Sequence, residues 1–235
     1  MTEIFTIDVV RAISDWQRGS SQETKITRGE ALKSVMRGLP AYFRQCEDLC
    51  YRQECHQKDR TFQVLIDNKL PETVSSWTTD LEVAKAFKGG VIWGEEDRSI
   101  ILAIKPTEDI VVANLERIYS DTDFQNAVAL HGPKIEYFYN GAGKYGNTQK
   151  EVVIELGALS SSSIYSYGGY SGPVDDLIAK FKIMYERGPD EQEIAQIVQK
   201  ADQPWWLSES GTKNVIERTM PRFLERVMSR KTRLR

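Results

Sequence analysis

Cysteine and histidine are scarce, with three cysteines and two histidines among 235 residues. Cys46, Cys50 and Cys55 form an odd set without a secretory signal before them, which argues against a disulfide framework. His56 follows Cys55 directly, so zinc is conceivable, but no CxxC pair is present. An extended strand would also point Cys50 and Cys55 to opposite faces. We therefore expect free, buried or half-buried thiols and no metal.

Long apolar runs are also missing, since none approaches the roughly 18 residues that span a bilayer. The first residues carry acids early and have no apolar signal core, so they do not form a secretory signal. Net charge is only −3, with 40% hydrophobic and 28% charged residues, which excludes a global field toward nucleic acid or membrane. We expect a cytoplasmic chain with a full core and no membrane partner.

The charge is nevertheless uneven at the C-terminus. The last ten residues contain no acid and five basic residues: Arg226, Arg230, Lys231, Arg233 and Arg235. Such a block can bind RNA or an acidic partner. It also suits the C-terminal end of a solvated helix, where the macrodipole favours positive charge, and we prefer this interpretation.

The order of predicted elements indicates an α+β fold with an antiparallel sheet. We predict a single domain over residues 1–235, with N-terminal helices in 1–48, a strand-rich core in 49–157 and a helical C-terminal extension in 173–235. The polar Gly/Ser-rich stretch 159–173 is predicted to be a loop or linker.

Local signals predict several element boundaries. A helix over Arg28–Met36 would begin at Thr27, and an apolar element is expected at residues 61–66. A hairpin is predicted from Val91-Ile92-Trp93 through an acidic turn to the strand that begins at Ser99. The C-terminal helix over residues 209–228 should be kinked or split at Pro221.

Three glycines in the stretch from Asn140 to Leu156 match the spacing of a dinucleotide fingerprint: Gly141, Gly143 and Gly146. That fingerprint requires a helix directly after the glycines. Here Val152-Val153-Ile154 follows, an apolar β-branched run that predicts a strand. We therefore expect a flexible recognition loop that leads into a functional strand, and no Rossmann turn.

Three separated motifs carry residue types suited to chemistry. The first, LCYRQ, places Arg52 in a short strand. The second, SSWTT, places Ser76 and Thr78 at the end of another strand. The third, QKEVVIE, places Glu151 at the start of a buried strand, with Gln149 two residues before it.

In this order the motifs resemble the Arg/Ser-Thr-Ser/Glu class of mono-ADP-ribosyltransferases, in its Gln-x-Glu subtype. The resemblance covers roughly residues 49 to 157. Its most specific part is the second motif, because the family has Ala-x-x-Phe five residues after Ser-Thr-Ser, and here Ala84 and Phe87 follow Ser76-Trp77-Thr78. The resemblance implies split, mostly antiparallel sheets around an NAD cleft, with flanking helices and NAD as a substrate.

The resemblance also implies roles for the motif residues. Cleavage of the nicotinamide–ribose bond builds positive charge on the ribose, and a fixed carboxylate stabilises that charge. Glu151 would do this and hold the ribose 2′-hydroxyl. Arg52 would offer its planar fork to pyrophosphate and ribose oxygens. Ser76 would orient the nicotinamide ribose and Glu151, and Thr78 would hold the two strands in register.

Two positions depart from the family pattern. Gln53 stands where the family often has glycine, although its backbone could still bind the nicotinamide amide. Trp77 replaces the central Thr, and strand alternation points its side chain into the core. An aromatic face for the nicotinamide ring could come from Trp93 or Phe87. Helical spacing places Phe87 in the core, so we prefer Trp93.

Gln149 bears on the acceptor, because alternation in a strand would place it on the same face as Glu151. Family members with Gln here resemble enzymes that modify asparagine or guanine, and a neutral amide suits such acceptors. A structural alternative is a Gln that binds its own loop. Aromatic side chains just before this position could stack on a base or contact a protein: Tyr137, Phe138, Tyr139 and Tyr145.

The leading hypothesis is thus an NAD-dependent mono-ADP-ribosyltransferase acting as an intracellular toxin or effector on RNA, DNA or protein. An inhibitor or antitoxin protein is a possible partner. The alternatives are an NAD glycohydrolase on the same fold and an inactive NAD- or partner-binding module. A diphtheria-like mechanism is disfavoured, because neither His56 nor His131 lies in the first motif.

Overall fold

The structure, a computed structural model, describes residues 4–19, 21–57, 70, 72–92, 97–159, 163–170 and 172–233. Three predictions lie wholly or partly outside these residues. They are the apolar element at residues 61–66, the aromatic side chain of Trp93 and the acidic turn of the predicted hairpin. The side chains of the basic C-terminal block lie outside them too.

The described residues form an α+β fold, as predicted, and every strand pairing among them is antiparallel. The helices are α1 (Ile7–Gln17), α2 (Gln22–Met36), α3 (Leu81–Ala86), α4 (Leu115–Ser120), α5 (Thr122–His131), α6 (Ala142–Tyr145), α7 (Val174–Tyr185), α8 (Glu191–Lys200) and α9 (Glu209–Arg233). The strands are β1 (Cys50–Gln57), β2 (Val74–Thr78), β3 (Asp97–Ile104), β4 (Val111–Asn114), β5 (Glu151–Glu155), β6 (Ile164–Tyr170) and β7 (Pro204–Trp206). Short 3₁₀ turns lie at Ala41–Arg44, Phe87–Gly89, Gly132–Lys134 and Phe138–Asn140.

The chain divides into two compact units, each assembled from three stretches. The first consists of Met1–Arg52, Asn68–Ala84 and Ala103–Ser160, and the second of Gln53–Asp67, Lys85–Leu102 and Ser161–Arg235. The predicted boundaries near residues 48 and 173 do not coincide with the unit boundaries. A single domain remains a prediction.

In the first unit the strands follow the order β4-β5-β2-β1, and β1 contributes its first residues, up to Arg52. β2 and β5 pair along their full length, from Val74 opposite Glu155 to Thr78 opposite Glu151. Paired residues on antiparallel strands share a face, so Thr78 and Glu151 lie side by side on one face of the sheet. Trp77 alternates to the other face and is 2% exposed, as predicted, with its Nε1 donating to Ser75 Oγ at 3.0 Å.

One hydrophobic core fills the first unit. It joins α1 and α2 with β2, β4, β5 and the helices after β4. Its fully buried members include Phe5, Val10, Ile13, Leu32, Leu115, Ile118, Phe124 and Val153. Val9, Val10, Ile13, Ser14 and Trp16 are the buried residues of α1, so this helix faces the core along its whole length.

The second unit contains the strand order β3-β6-β7. β6 lies in the Gly/Ser-rich stretch that we predicted to be a loop, and that prediction was wrong. Packing accounts for one glycine of this stretch, because a Cβ at Gly168 would lie 3.0 Å from Val91 Cγ1 and 3.1 Å from Ser99 Cβ. A small residue is therefore needed where β6 packs against β3. The short strand β7 was not predicted either.

Other boundaries also differ from the sequence prediction. α2 begins at Gln22, where the Ser21 hydroxyl accepts from Thr24 N, and not at Thr27. Val91 and Ile92 lie outside any strand, although β3 is present. α9 runs for 25 residues through Pro221, so it is not split there, and a kink at this proline stays a prediction.

Candidate functional site

The first unit brings the three sequence motifs onto neighbouring strands. Arg52 lies on β1, Ser76 and Thr78 lie on β2, and Glu151 begins β5. β2 pairs with β1 on one side and with β5 on the other. The motif residues are thus adjacent in the sheet although a long stretch of chain separates them.

Glu151 is a buried carboxylate with both oxygens hydrogen-bonded. It is 4% exposed. Trp16 Nε1 donates to its Oε1 at 2.8 Å, and Gln17 Nε2 donates to its Oε2 at 3.1 Å. Hydrogen bonds to a charged carboxylate are stronger than those between neutral groups, so these contacts fix the orientation of the side chain. Burial without such partners would be costly.

A second layer holds Gln17 in place. Its Oε1 accepts from Tyr119 Oη at 2.7 Å, and its Nε2 also donates to the Gly146 carbonyl at 3.3 Å. Burial, and then the negative charge of Glu151, raise the pKa of Tyr119 well above its usual value. Tyr119 therefore keeps its proton and acts as a donor throughout the physiological range.

Sequence reasoning missed Trp16, Gln17 and Tyr119. None of them belongs to a motif, and the sequence indicated no functional role for the N-terminal helices or for the segment that contains Tyr119. The spacing of apolar residues along α1 could have placed Trp16 on the core face of the helix. No local signal indicates that its indole would meet a carboxylate that lies 135 residues away in the sequence.

The guanidinium of Arg52 is largely buried and already bound. Its Nη1 donates to the Ser76 carbonyl at 2.8 Å, and its Nη2 lies 3.4 Å from Glu72 Oε2. Glu72 also accepts from Lys25 Nζ at 2.8 Å. The cationic groups of Arg52 and Lys25 therefore share one carboxylate close to β2.

The strand registers indicate that Arg52 and Glu151 leave the sheet from opposite faces. Tyr51 is the partner of Thr78, so Tyr51 shares the face of Thr78 and Glu151. Regular alternation would place Arg52 on the opposite face. Its long side chain nevertheless reaches the backbone of Ser76, which keeps the guanidinium next to β2.

The hydroxyls of the second motif have distinct environments. Thr78 is buried, and its Oγ1 accepts from Asp80 N at 3.0 Å, so it stabilises the turn before α3. The Thr78 side chain therefore contacts the turn, and it is the backbone of Thr78 that pairs with Glu151 in the sheet. Ser76 is half-buried and lies opposite Val153, two pairs along from Thr78 and Glu151 and so on the same face.

Gln149 lies in a turn before β5, where it is half-buried. The next residue, Lys150, has a φ of +42°, so the backbone is not extended between Gln149 and Glu151. Strand alternation consequently does not apply, and the expectation that the two side chains share a face for that reason was wrong. The Lys150 carbonyl instead accepts from Thr79 N at 3.2 Å, which joins this turn to the end of β2.

The glycine-rich loop packs against α1, and its flexibility stays a prediction. A Cβ on Gly141 would lie 2.0 Å from the Ser14 carbonyl oxygen, so glycine allows the loop to contact the backbone of α1. Ala142 N donates to Ser14 Oγ at 3.3 Å. Gly143 lies against the rings of Phe138 and Tyr139. The three glycines therefore serve packing and turn geometry.

The aromatic residues near this loop divide into two groups. Phe138 is a core residue at 7% exposure, whereas Tyr137 and Tyr139 are 58% and 73% exposed. Tyr145 is half-buried. The guanidinium of Arg18 lies 4.8 Å from the ring centroid of Tyr137. Tyr137 and Tyr139 are thus available to a partner, and Phe138 is not.

The remaining predicted site residues belong to the second unit. Gln53 is buried and its Nε2 donates to the Gly90 carbonyl at 2.6 Å. Phe87 is 42% exposed, so its predicted core position was wrong. It lies at the end of α3 in a 3₁₀ turn, where Lys88 has a φ of +52° and the helical spacing used for the prediction no longer holds.

The cysteines are free thiols, as predicted. Cys46 Sγ and Cys50 Sγ lie 3.6 Å apart in the first unit. The hydrogen bond from the Cys50 thiol lowers the pKa of Cys46 to about 7, whereas the same contact and burial raise the pKa of Cys50. Cys55 Sγ lies 3.3 Å from Ser99 Oγ in the second unit. No group of three or more His, Cys, Asp or Glu residues within the described ranges could hold a metal ion.

Comparison of the chain with family models, curated proteins and solved structures found no match. Within the part of the chain that the structure describes, no helix combines the length and the apolar character needed to cross a membrane.

Proposed function

We propose that this chain is an NAD-dependent mono-ADP-ribosyltransferase, acting in the cytoplasm as a toxin or effector. One observation carries the proposal: the Arg52, Ser76-Thr78 and Glu151 motifs lie on three neighbouring strands, with Glu151 beside Thr78. The resemblance to mono-ADP-ribosyltransferases predicts this arrangement of the motifs, whereas the composition and the α+β class do not.

The reaction is a glycosyl transfer at the anomeric carbon of the nicotinamide ribose. The bond from that carbon to the pyridinium nitrogen breaks, and its electron pair neutralises the departing nicotinamide. An acceptor atom forms the new bond to the same carbon and loses its proton. Positive charge develops on the ribose between these events, and Glu151, with its two fixed oxygens, is the carboxylate suited to stabilise it.

Arg52 is the candidate group for the pyrophosphate. A guanidinium binds phosphate oxygens through two parallel N–H donors, but Glu72 now lies against one of them. NAD binding therefore exchanges the Glu72 carboxylate for a phosphate oxygen. Lys25 remains with Glu72 and prevents it from becoming an unpaired buried charge.

The acceptor is a macromolecule in this proposal, either a nucleic acid or a protein side chain. Exposed Tyr137 and Tyr139 offer rings for stacking or contact. Gln149 is half-buried close to Glu151 in sequence and has a neutral amide that suits asparagine or a base edge better than a guanidinium.

Labelled NAD incubated with the protein and a cell lysate tests the proposal. We expect nicotinamide release together with label in a protein, RNA or DNA fraction. Glu151→Gln should lower nicotinamide release at least 100-fold, by analogy with the loss of one transition-state contact. The matched control is Glu155→Gln on the same face of β5, where Glu155 binds Lys33 at 2.7 Å, and it should stay close to wild type.

Other outcomes identify the alternatives. Free ADP-ribose without labelled macromolecule indicates an NAD glycohydrolase. Absence of both NAD turnover and NAD binding indicates a partner-binding module. Equal losses in Glu151→Gln and Glu155→Gln contradict the assignment of the carboxylate.

A further inference from the structure

The last turn of α1 is built into the site around Glu151. Trp16 and Gln17 are consecutive, and each contacts a different oxygen of the same carboxylate. α1 is held against the glycine-rich loop by the close approach of Gly141 to Ser14. The helix therefore reaches the carboxylate through a fixed packing contact and not through a mobile terminus.

The two residues differ in how firmly they are held. Trp16 is 9% exposed and belongs to the core, where its ring lies close to Gly29 of α2. Gln17 is half-buried and is the final residue of α1. Gly19 follows shortly afterwards with a φ of +72°. Trp16 thus cannot leave Oε1 without disturbing the core, whereas Gln17 can release Oε2 and still keep its contacts with Tyr119 and the Gly146 carbonyl.

Gln17 also has other partners to retain when it moves. The Gly146 carbonyl accepts from its amide at 3.3 Å, and Tyr119 donates to its Oε1. Release of Oε2 would therefore leave the amide with a carbonyl acceptor and would not strand a buried donor.

A sugar hydroxyl needs a carboxylate oxygen that it can reach, and Glu151 is only 4% exposed. We propose that Trp16 is a positioning residue that anchors Oε1 of Glu151, and that Gln17 covers Oε2 until a ribose hydroxyl of NAD replaces it. This inference rests on the proposed function. It assigns α1, outside the three motifs, to the active site.

The two contacts predict opposite kinetic signatures. Trp16→Phe keeps most of the ring but removes the N–H donor, so kcat for nicotinamide release should fall roughly ten-fold while KM for NAD stays within about two-fold. Gln17→Ala removes the group that NAD must displace. KM should then fall about three-fold, with kcat within about two-fold of wild type.

Matched controls separate these effects from loss of stability. Val10→Ala makes a cavity on the core face of α1, away from the carboxylate, and Gln192→Leu removes an exposed amide from α8. Both should keep kcat and KM within about two-fold of wild type below their unfolding temperatures. If Val10→Ala reproduces the kcat loss of Trp16→Phe, a loosened helix explains both and the proposal is overturned.

A spectroscopic test does not depend on turnover. The chain has five tryptophans, so five indole N–H signals are expected in a ¹⁵N–¹H spectrum, and Trp16→Phe identifies the one that is lost. Glu151→Gln should shift the Trp16 signal, because the charged acceptor becomes neutral, and Glu155→Gln should not. A Trp16 signal that does not shift in Glu151→Gln overturns the proposed contact between Trp16 and Glu151.

The possible failures can be distinguished. A wild-type protein that does not turn over NAD overturns the proposed function and, with it, the assignment of these residues to that reaction. An active wild type in which Trp16→Phe leaves kcat unchanged, or in which Gln17→Ala raises KM, overturns the positioning and covering roles alone.

Discussion

Helix α1 of the first unit and helix α7 of the second show how differently two amphipathic helices can be used. Val10 and Ile13 of α1 are fully buried. In α7, which is described completely, no side chain is buried, and Ile183 and Met184 are 80% and 70% exposed. Apolar residues at helical spacing therefore indicate a helix in both cases, but only α1 has a core to face.

The two regions also differ in the polar groups that hold them in place. The carboxylate of Glu151 accepts from the buried indole of Trp16 and from the half-buried amide of Gln17, both on a helix that packs on a continuous core. The turn between α7 and α8 relies on exposed charge, because Arg187 binds Glu193 and Asp190 caps α8. Chemistry that requires precise geometry is better supported by the first arrangement, since buried partners have fewer alternatives.

The largest expected difference comes from the same substitution in the two helices. Ile13→Ala leaves a cavity in the core of the first unit and should lower the free energy of unfolding by about 2–5 kcal/mol. Ile183→Ala removes an exposed side chain and should change it by less than about 0.5 kcal/mol. Urea unfolding of both variants measures the difference. Similar losses would mean that α7 is covered in solution.

A glycine pair gives the next largest effect. Gly141→Ala would place a Cβ against the Ser14 carbonyl, so the loop or α1 must shift, at a cost of about 1–3 kcal/mol. Gly188→Ala has no neighbour within 4 Å and should leave stability unchanged or raise it by up to about 1 kcal/mol. Thermal unfolding checks both. An unaffected Gly141→Ala would contradict the docking of the loop on α1.

The buried thiol pair predicts a pH effect confined to the first unit. Because the pKa of Cys46 is lowered to about 7 from 9.0, its stabilising contribution should grow as pH rises from 7 to 9 and disappear as pH falls through 7. Cys50→Ala removes the main cause of the lowered pKa, so the pKa of Cys46 should rise toward 9.0. The gain in stability between pH 7 and pH 9 should then vanish.

Thiolate absorbance near 240 nm and urea unfolding at pH 7 and pH 9 measure these two changes. A Cys55→Ser background leaves only the Cys46 and Cys50 thiols to titrate, because the chain has three cysteines. An unchanged Cys46 titration in Cys50→Ala would refute the proposed hydrogen bond.

The smallest effect belongs to the exposed pair between α7 and α8. Arg187 lowers the pKa of Glu193 to about 2, so the contribution of the carboxylate is present above its unfolded value near 4.5 and is lost as pH falls toward 2. Glu193→Gln should be slightly less stable than wild type at pH 7, and the difference should shrink in acid. Because both groups are exposed, added salt should reduce it as well.

The sequence predicted those parts of the fold that depend on local signals. A buried β-branched run located β5, and the helical C-terminal extension predicted over residues 173–235 contains α7, α8 and α9. β6 was missed because glycine and serine usually indicate a loop, whereas here a small residue is required by packing against β3. The start of α2 was misplaced because several residues near it can serve as caps.

For the candidate site, the resemblance of the three motifs indicated Arg52, Ser76, Thr78 and Glu151, and pairing of β2 with its neighbours brings them together. It could not indicate the donors from α1, because contacts over such a sequence distance leave no periodic trace. Nor could it reveal the left-handed backbone at Lys150, which invalidates the face assignment of Gln149. Alternation holds only where the chain is extended.

The position of α1 in the sequence also constrains how the protein is made. α1 is synthesised before β5, which carries its carboxylate partner and follows more than a hundred residues later. During translation Trp16 must therefore remain without its final acceptor until β5 has emerged. The residues 49–157 that resemble a catalytic core contain Glu151 but neither of its donors. A fragment limited to them would expose the carboxylate and the apolar face of the sheet, so we expect the smallest functional unit to begin before α1.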